Sequence, residues 1–221
     1  MYKLLILIII LIVIYWYTTF IDKFTINKNE ILHILHIGKT AGRALKQSLY
    51  LHDRIKIMNH KVDAEDLNKC NNCKILAVIR DPVDRLLSAI YWFKQGGEYN
   101  IEQINNPIHK FVKNKSISEI LSHPHILKIL SFYRNHAFRP TMRYIKNNKD
   151  IVTPLCYNKL ETEFDTKIKP YCNDNNCILG KKNTSKRLKY DELNEEDKIA
   201  VNNFVKKYYS HDLIYYNEHC K

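Results

Sequence analysis

The chain contains little glycine and proline, 5 and 6 residues respectively out of 221. This scarcity excludes collagen-like and low-complexity proteins, and no internal repeat is visible. Acidic residues are also in short supply: 23 Asp and Glu stand against 35 Lys and Arg, so the formal net charge is +12. Apolar residues nevertheless make up 45% of the chain, enough for a packed core, which excludes general disorder. The length predicts one domain with at most a small appendage.

The surplus of positive charge predicts an anionic partner. Nucleic acid, a membrane surface, a nucleotide and a sulfated or acidic glycan all fit, and charge alone does not choose among them. The apolar residues are unevenly distributed, with a dense block at the N-terminus and a polar, basic remainder.

The N-terminal block, residues 4–21, carries no charge. Residues 4–14 are aliphatic and three aromatic residues follow, which suits the interfacial belt of a membrane span. At ~1.5 Å per residue the block covers roughly 27 Å, about the thickness of an endoplasmic-reticulum bilayer. A cleaved signal peptide is the alternative, but the block ends without a small-residue cleavage site.

We therefore expect an uncleaved anchor with the chain oriented as a type II membrane protein, because a very short tail precedes the block. The predicted division is a cytoplasmic tail at 1–3, a transmembrane signal anchor at 4–21, a polar linker at 22–30 and one domain at 31–221.

Six cysteines follow the anchor, an even number that fits disulfides in an oxidising lumen. Cys172 and Cys177 can close a short loop. Cys70-Asn-Asn-Cys73 has the spacing of a redox motif or of half a zinc site. A four-cysteine zinc site would have to join the two pairs across about 100 residues, so disulfides are the preferred interpretation.

Two strand-to-helix turns define the fold class. An apolar strand is predicted over 31–37 and is followed by a helix over 43–51, and a second strand over 74–79 is followed by a helix over 83–93. Two β-to-α turns imply an α/β fold, a parallel sheet with helices on its faces. Residues 100–148 predict helices and loops. Further along we expect a strand at 150–155, a short helix at 157–164 and a last helix at 192–209.

The first turn, Gly38-Lys-Thr-Ala-Gly42 with Arg43, has the character of an anion site. Backbone N–H groups and a helix N-terminus point at the anion, and Lys39 adds a positive charge. A nucleoside-triphosphate P-loop requires GxxxxGK[ST], whose first glycine would fall at His33. The turn thus predicts phosphate binding without a Walker loop. An ordinary turn with an exposed lysine is the alternative.

The second turn places Arg80 at a strand end, before Asp81 as helix cap and Pro82 as first helical residue. Ser88 lies seven residues past the cap, on the same helix face. We expect Arg80 and Ser88 to converge on one anion, the first through a charged fork and the second through its hydroxyl. Taken with the first turn, this predicts a nucleotide with two separated phosphate groups. A capped helix with a surface arginine is the alternative.

These motifs together resemble the Golgi-type carbohydrate sulfotransferases, and most closely their heparan sulfate and uronyl 2-O-sulfotransferase branch. The resemblance covers residues 31–93 and 150–215. Arg43 is a departure, because the family usually has Ser or Thr there, and the domain is shorter than typical members. The similar stretches are Lys39-Thr-Ala-Gly42, Arg80-Asp-Pro-Val-Asp-Arg-Leu-Leu-Ser88, Tyr91-Trp-Phe-Lys-Gln-Gly-Gly, Val152–Phe164 and Lys181–Lys186.

The resemblance implies a P-loop-like three-layer fold and 3′-phosphoadenosine 5′-phosphosulfate (PAPS) as sulfuryl donor, with no metal. It implies that Lys39 stabilises the sulfuryl group and the leaving phosphate, and that His60 is the catalytic base, with His36 as second candidate. His33 and His36, inside the predicted strand, are more typical of structural positions. The remaining cofactor-binding residues implied are Thr40, Ala41, Gly42, Arg43, Arg80, Ser88, Ser185 and Lys186.

The resemblance also implies a carbohydrate acceptor, which the charge suggests is an anionic glycan or glycoprotein, with no role for nucleic acid. Two alternatives remain: a P-loop-like nucleotide kinase or other phosphotransferase, and an inactive membrane-anchored glycan-binding protein. Asn114 lies in a sequon in a polar loop and is expected to be glycosylated. Asn183 lies in a second sequon but is expected to be unmodified, because a glycan there would block the cofactor loop. Candidate residues for an acidic-glycan groove are Lys110, Lys113, Lys115, Lys128, Arg134, Arg139 and Arg143.

Overall fold

The structure is a computed structural model that describes residues 10, 30–67, 70, 72–96, 106–132, 134–146, 148–173, 177–180 and 187–221. The predicted anchor at 4–21, apart from Ile10, and nearly all of the predicted linker lie outside these ranges. Within them, no helix combines the length and the apolar character needed to cross a membrane. Residues 31–221 form one compact unit.

Four parallel strands form the sheet, in the spatial order β2-β1-β3-β4. The predicted strands are present, but their ends are shifted. For example, β1 stops at Leu35, so His36 and Ile37 lie beyond it. β2 was not predicted, since three residues are too few to show a period. The strands are β1 (Ile31–Leu35), β2 (Ile55–Ile57), β3 (Cys73–Ile79) and β4 (Val152–Cys156).

Helices flank the sheet, which confirms the α/β class. They are α1 (Gly42–Leu49), α2 (Ala64–Leu67), α3 (Pro82–Lys94), α4 (Pro107–Val112), α5 (Ile117–Leu121), α6 (Ile126–Ile129), α7 (Met142–Ile145), α8 (Leu160–Lys167), α9 (Glu195–Tyr208) and α10 (Ser210–Cys220). Short 3₁₀ turns occur at Tyr157–Lys159, Lys169–Tyr171 and Tyr190–Glu192.

Both faces of the sheet are buried, as a parallel sheet requires. Side chains of a strand alternate between faces, and in β3 Ile75 and Ala77 pack on one side with Tyr144 and Tyr215. Leu76 and Val78 point to the opposite side and are equally buried. This explains why β3 is a continuous apolar run in the sequence.

Helix α3 begins where the sequence predicts. The Asp81 carboxylate accepts a hydrogen bond from the backbone N–H of Asp84 at 2.9 Å, and Pro82 occupies the first turn. The cap satisfies one of the helix's unpaired N–H groups. It also places Arg80 directly at the carboxyl end of β3.

The C-terminal region differs from the prediction of one last helix at 192–209. Helix α9 ends at Tyr208 and a second helix, α10, continues to Cys220. Asp212 of α10 is buried and accepts hydrogen bonds from the backbone N–H groups of Thr141 and Met142, at 2.6 and 3.0 Å. Tertiary contacts, which a local pattern does not contain, therefore set the break between the two helices.

The cysteines pair as three disulfides, Cys70–Cys73, Cys156–Cys220 and Cys172–Cys177. The predicted short loop closed by Cys172 and Cys177 is confirmed. The two cysteine pairs that a four-cysteine zinc site would have joined fall in separate clusters, each beside a different histidine.

The strand order creates a switch point between β1 and β3. From β1 the chain crosses to β2 on one side, whereas β3 and then β4 lie on the other. In parallel α/β sheets the crevice at the carboxyl ends of two such strands is where ligands bind. The loop after β1 and Arg80 after β3 both lie at this crevice.

Candidate anion-binding site

The loop between β1 and α1 holds a strained backbone. Lys39 and Ala41 both have φ of 66°, a left-handed conformation that costs a residue with a side chain about 1–2 kcal/mol. Gly38 and Gly42 are required by close approaches: a Cβ on Gly38 would collide with the backbone oxygen of His136, and one on Gly42 with the His36 ring. Such strain persists where the surroundings over-determine it, often at ligand sites.

Helix α1 begins at this loop without compensation for its positive end. In the described part of the chain no side chain caps it, its first turn has no acidic residue, and Arg43 lies there instead. The Thr40 side chain is buried and donates its hydroxyl inward to the Ile37 carbonyl at 2.8 Å. The first N–H groups of α1 and the charge of Arg43 therefore favour an anion at this end.

Arg80 connects the second turn to the first. Its Nη1 donates to the Lys39 carbonyl oxygen at 2.8 Å, and its Nε donates to the Asp84 carboxylate at 2.6 Å. Asp84 also accepts a hydrogen bond from Arg187, a residue 103 positions further along the chain. The Asp84 carboxylate thus holds two arginines beside the loop. Burial raises the pKa of Asp84, but Arg80 and Arg187 lower it by more, so the net shift is downward.

The cations at the loop repel one another. Burial, followed by the charges of Arg80, Arg43 and Arg187, lowers the pKa of Lys39 to about 8. The Lys39 ammonium lies 4.9 Å from the ring centroid of Trp92, a cation–π contact. Lys39, Arg43, Arg80 and Arg187 together bring positive charge to this loop, which a bound polyanion would offset.

Three histidine rings stack beside the loop. The ring centroids of His36 and His60 are 3.8 Å apart, and those of His60 and His136 are 4.0 Å apart. Burial, with charge repulsion inside the stack, lowers the pKa values of His36 and His136 to about 4. Lys39 contributes to the shift at His136, so this stack and the cationic loop lie close enough to interact.

His60 occupies the centre of the stack in a defined tautomer. Its Nδ1 lies 2.8 Å from the backbone oxygen of His36. A carbonyl oxygen only accepts, so Nδ1 carries the proton and Nε2 keeps its lone pair. Burial lowers the pKa of His60 although this hydrogen bond opposes the shift. His60 is thus a neutral imidazole at neutral pH, with Nε2 available to take a proton.

A cavity of about 600 Å³ opens at this histidine stack. Its basic lining consists of Lys61, Arg134 and Arg139, and the remaining lining residues are Asn59, His60, His136 and Tyr144. The Arg139 guanidinium carbon lies 4.5 Å from the ring centroid of Tyr144. The cavity therefore combines a base with cationic side chains, a lining suited to an anionic, hydroxylated molecule.

The structure brings together several of the sequence-predicted residues and separates others. The loop and the start of α1 contain Lys39, Thr40, Ala41, Gly42 and Arg43. Arg80 and His60 lie beside them. Ser88 is buried on α3, one turn beyond Asp84, and no hydrogen bond within the described residues joins it to Arg80. Ser185 and Lys186, with the sequon residue Asn183, lie outside the described residues.

The candidate glycan-binding residues do not form one group. Arg134 and Arg139 line the cavity beside His60. Lys128 lines a different cavity, formed by residues 121–128 with Lys207 and Tyr208. Asn114, the sequon residue predicted to be glycosylated, is exposed in a turn after α4.

Sequence reasoning missed Arg187, Asp84, His136 and Trp92. Asp84 and Trp92 stand inside motifs already singled out, and the i,i+4 spacing of Asp84 from Arg80 was available as a signal. Arg187 directly follows the predicted cofactor loop, but nothing local connects it to Asp84.

Comparison of the chain with protein-family models, with curated proteins and with solved structures gave no match.

Proposed function

We propose that this protein is a PAPS-dependent carbohydrate sulfotransferase that moves a sulfuryl group to a hydroxyl of an anionic glycan or glycoprotein. The main support is that two features lie side by side. One is a cationic loop suited to a phosphosulfate, and the other is a neutral histidine that lines the neighbouring cavity. In this proposal the sheet and loop form a P-loop-like fold with a non-Walker phosphate loop.

The donor end is assigned to the loop and its arginines. The backbone N–H groups at Thr40–Arg43 would hold the 5′-phosphosulfate, and Arg80 would bind the 3′-phosphate together with Ser88. Lys39 and Arg187 supply further positive charge on the same side. The strained loop, the uncapped start of α1 and the depressed Lys39 pKa all fit a group that carries several negative charges.

The acceptor end is assigned to the cavity beside His60. Arg134, Arg139 and Lys61 would attract an acidic sugar chain, and the histidine stack forms the wall nearest the loop. Two arginines and a lysine around this cavity suit carboxylate or sulfate groups.

Bound PAPS would supply an activated sulfuryl group on a phosphate leaving group. His60 Nε2 takes the proton of the acceptor hydroxyl as its oxygen forms the new S–O bond, and the old S–O bond to phosphate breaks. Lys39 offsets the charge that develops on the phosphate oxygen. Since Nδ1 of His60 is tied to the His36 carbonyl, its ring is oriented before the acceptor arrives.

The location proposed for this activity is the Golgi lumen, with residues 4–21 as a type II membrane anchor. The disulfide pairs of the domain fit an oxidising compartment. The exposed Asn114 sequon is compatible with a glycoprotein in the same compartment.

The test is transfer of label from radiolabelled PAPS to a panel of glycans, with calorimetric binding of 3′-phosphoadenosine 5′-phosphate measured in parallel. Lys39→Ala should lower transfer by roughly 100-fold or more. His60→Ala should lower transfer by roughly 10²–10⁴-fold while leaving nucleotide binding in place. Lys206→Ala, which removes an exposed lysine of α9, is the control for lost charge and should behave as wild type.

The outcomes separate the alternatives. Nucleotide binding without transfer to any glycan would indicate an inactive binding protein. Transfer of phosphate from ATP in place of sulfate from PAPS would indicate a phosphotransferase. Absence of both binding and transfer would overturn the proposal.

A further inference from the structure

His33 is a buried polar side chain that the proposed function does not use. It lies on β1, where its register partner on β3 is Ile75, and it is 8% exposed. Neither ring nitrogen has a hydrogen-bond partner among the described residues. An imidazole buried in this way costs free energy unless something satisfies it, so the position requires an explanation.

Cys70 and Cys73 lie against this ring. The two sulfur atoms and the nearest His33 nitrogen are all within 4.8 Å of one another. Cys73 opens β3 two register pairs before the partner of His33, so its side chain points to the same sheet face. The Cys70 N–H donates to the Leu67 carbonyl at 3.0 Å, which ties this cysteine to the end of α2.

The second such cluster, His52 with Cys172 and Cys177, is not equivalent. Its histidine already accepts a hydrogen bond at Nδ1 from the backbone N–H of Asn173, at 3.2 Å. It therefore has less need of a further ligand, and it provides an internal comparison for the first cluster.

The disulfides also differ in access. Cys70 is exposed, whereas Cys156, Cys177 and Cys220 are each no more than 2% exposed. Disulfide exchange requires that the attacking thiolate reach a sulfur atom. The Cys70–Cys73 bond is therefore more accessible to a reductant than the buried Cys156–Cys220 bond.

We propose that Cys70, Cys73 and His33 form a redox-gated zinc site, closed as a disulfide when oxidised and able to bind Zn²⁺ when reduced. This inference is independent of the proposed function. Two sulfur ligands at C-x-x-C spacing and one imidazole are a usual zinc ligand set, with water in the fourth position.

The chemistry balances with a dithiol as reductant. The dithiol gives two electrons and two protons to the Cys70–Cys73 bond and becomes a disulfide itself. Zn²⁺ then displaces the two thiol protons, and each sulfur binds the metal as a thiolate. One nitrogen of His33 gains the partner that it lacks in the oxidised form.

The experiment uses the whole protein, reduced briefly with a water-soluble phosphine, which acts here in place of the dithiol and ends as the phosphine oxide with oxygen from water. Zn²⁺ is then added, free thiols are alkylated, and the modified cysteines are mapped by mass spectrometry. We expect zinc to protect Cys70 and Cys73 from alkylation and to leave Cys172 and Cys177 unprotected. Alkylation of Cys70 and Cys73 unaffected by zinc would overturn the proposal.

Titration with Co²⁺, followed by its thiolate charge-transfer absorption, gives the ligand set. We expect one ion per reduced chain. His33→Gln should weaken binding by at least ~10-fold, since even lost second-shell contacts cost that much. Cys172→Ser/Cys177→Ser should bind as wild type. Loss of binding in this control, or full affinity in His33→Gln, would contradict the assignment. The protection map on the unmutated chain decides the case if a variant fails to fold.

Discussion

Lys39 is the residue on which most of the candidate site depends. Its backbone is left-handed, its carbonyl receives Arg80, and its ammonium lies over Trp92. The first two fix the Lys39 backbone, and the contact with Trp92 restrains its long, flexible side chain, which lowers the entropic cost of presenting its charge to a ligand. Burial near three arginines makes that charge unusually easy to lose.

The depressed pKa of Lys39 predicts a pH dependence of nucleotide binding. The group is charged below about 8 and neutral above it, so affinity for 3′-phosphoadenosine 5′-phosphate should fall as pH rises through this value. Lys39→Arg keeps its charge across the range and should flatten the profile above pH ~8. Calorimetric titrations at a series of pH values measure both, and an unchanged slope in Lys39→Arg would assign the effect to another group.

At the residue scale, the sequence predicts the members of a site that lie next to recognisable local geometry. Lys39 and Arg80 stand directly after apolar strands, so their meeting at one sheet edge follows from parallel pairing. Arg187 and His136 reach the same place from distant parts of the chain. No local pattern marks them, because their position depends on how the intervening helices pack.

At the scale of elements, helix α3 connects a cap, a strand end and the buried core. Asp81 accepts from the Asp84 N–H, and residues from Leu86 to Phe93 pack into a buried apolar cluster. The start of this helix therefore sets the position of Arg80 and Asp84 together.

Removing the α3 cap should destabilise the domain. Asp81→Ala leaves the Asp84 N–H without its acceptor and should lower the free energy of unfolding by ~1 kcal/mol. Asp81→Asn retains an accepting oxygen and should lose clearly less. Urea unfolding followed by circular dichroism measures the difference. Equal losses in the two variants would show that charge at this position, and not capping, is what stabilises the helix.

Element boundaries were predicted well where a cap or a proline marks them, as at Pro82. The predicted end of the last helix, at Tyr209, lies one residue from the observed end of α9 at Tyr208, but the helix α10 that follows was not predicted. The Tyr209 hydroxyl is buried and donates to the Phe138 carbonyl at 2.6 Å, a contact across 71 residues that no helical period reveals.

At the scale of the whole molecule, a buried ion pair connects regions distant in sequence. Arg85 of α3 donates to Asp212 of α10 at 3.2 Å and to the Arg139 carbonyl at 2.9 Å. Both charged side chains are almost fully buried. The pair thus holds the segment that forms one wall of the cavity beside His60.

Removing Asp212 should be strongly destabilising. Asp212→Ala leaves the Arg85 charge buried without its partner and should cost about 3–5 kcal/mol of unfolding free energy. Glu195→Ala, which breaks an exposed pair with Lys198, is the matched control and should leave stability nearly unchanged. Chemical denaturation compares them. A small effect of Asp212→Ala would mean that water or another group reaches Arg85.

The disulfides should contribute unequally to stability. Cys156–Cys220 closes a separation of 64 residues and Cys172–Cys177 one of 5. Loop entropy then predicts losses of about 4 and about 2 kcal/mol for the corresponding double serine variants. Thermal unfolding under oxidising conditions gives the ranking. A reversed order would indicate that contacts in the folded state outweigh the entropy of the unfolded chain.

By itself, the sequence determined the α/β class, the two strand-to-helix turns, the capped start of α3 and the short loop closed by Cys172 and Cys177. These follow from hydrophobic period, capping and short spacing, which are local properties. Only the tertiary structure decided the strand order, the sharing of Asp84 between Arg80 and Arg187, the stacking of His36, His60 and His136, and the isolation of His33 beside two cysteines. These depend on which surfaces meet when the chain buries its apolar residues, and that is a property of the whole fold.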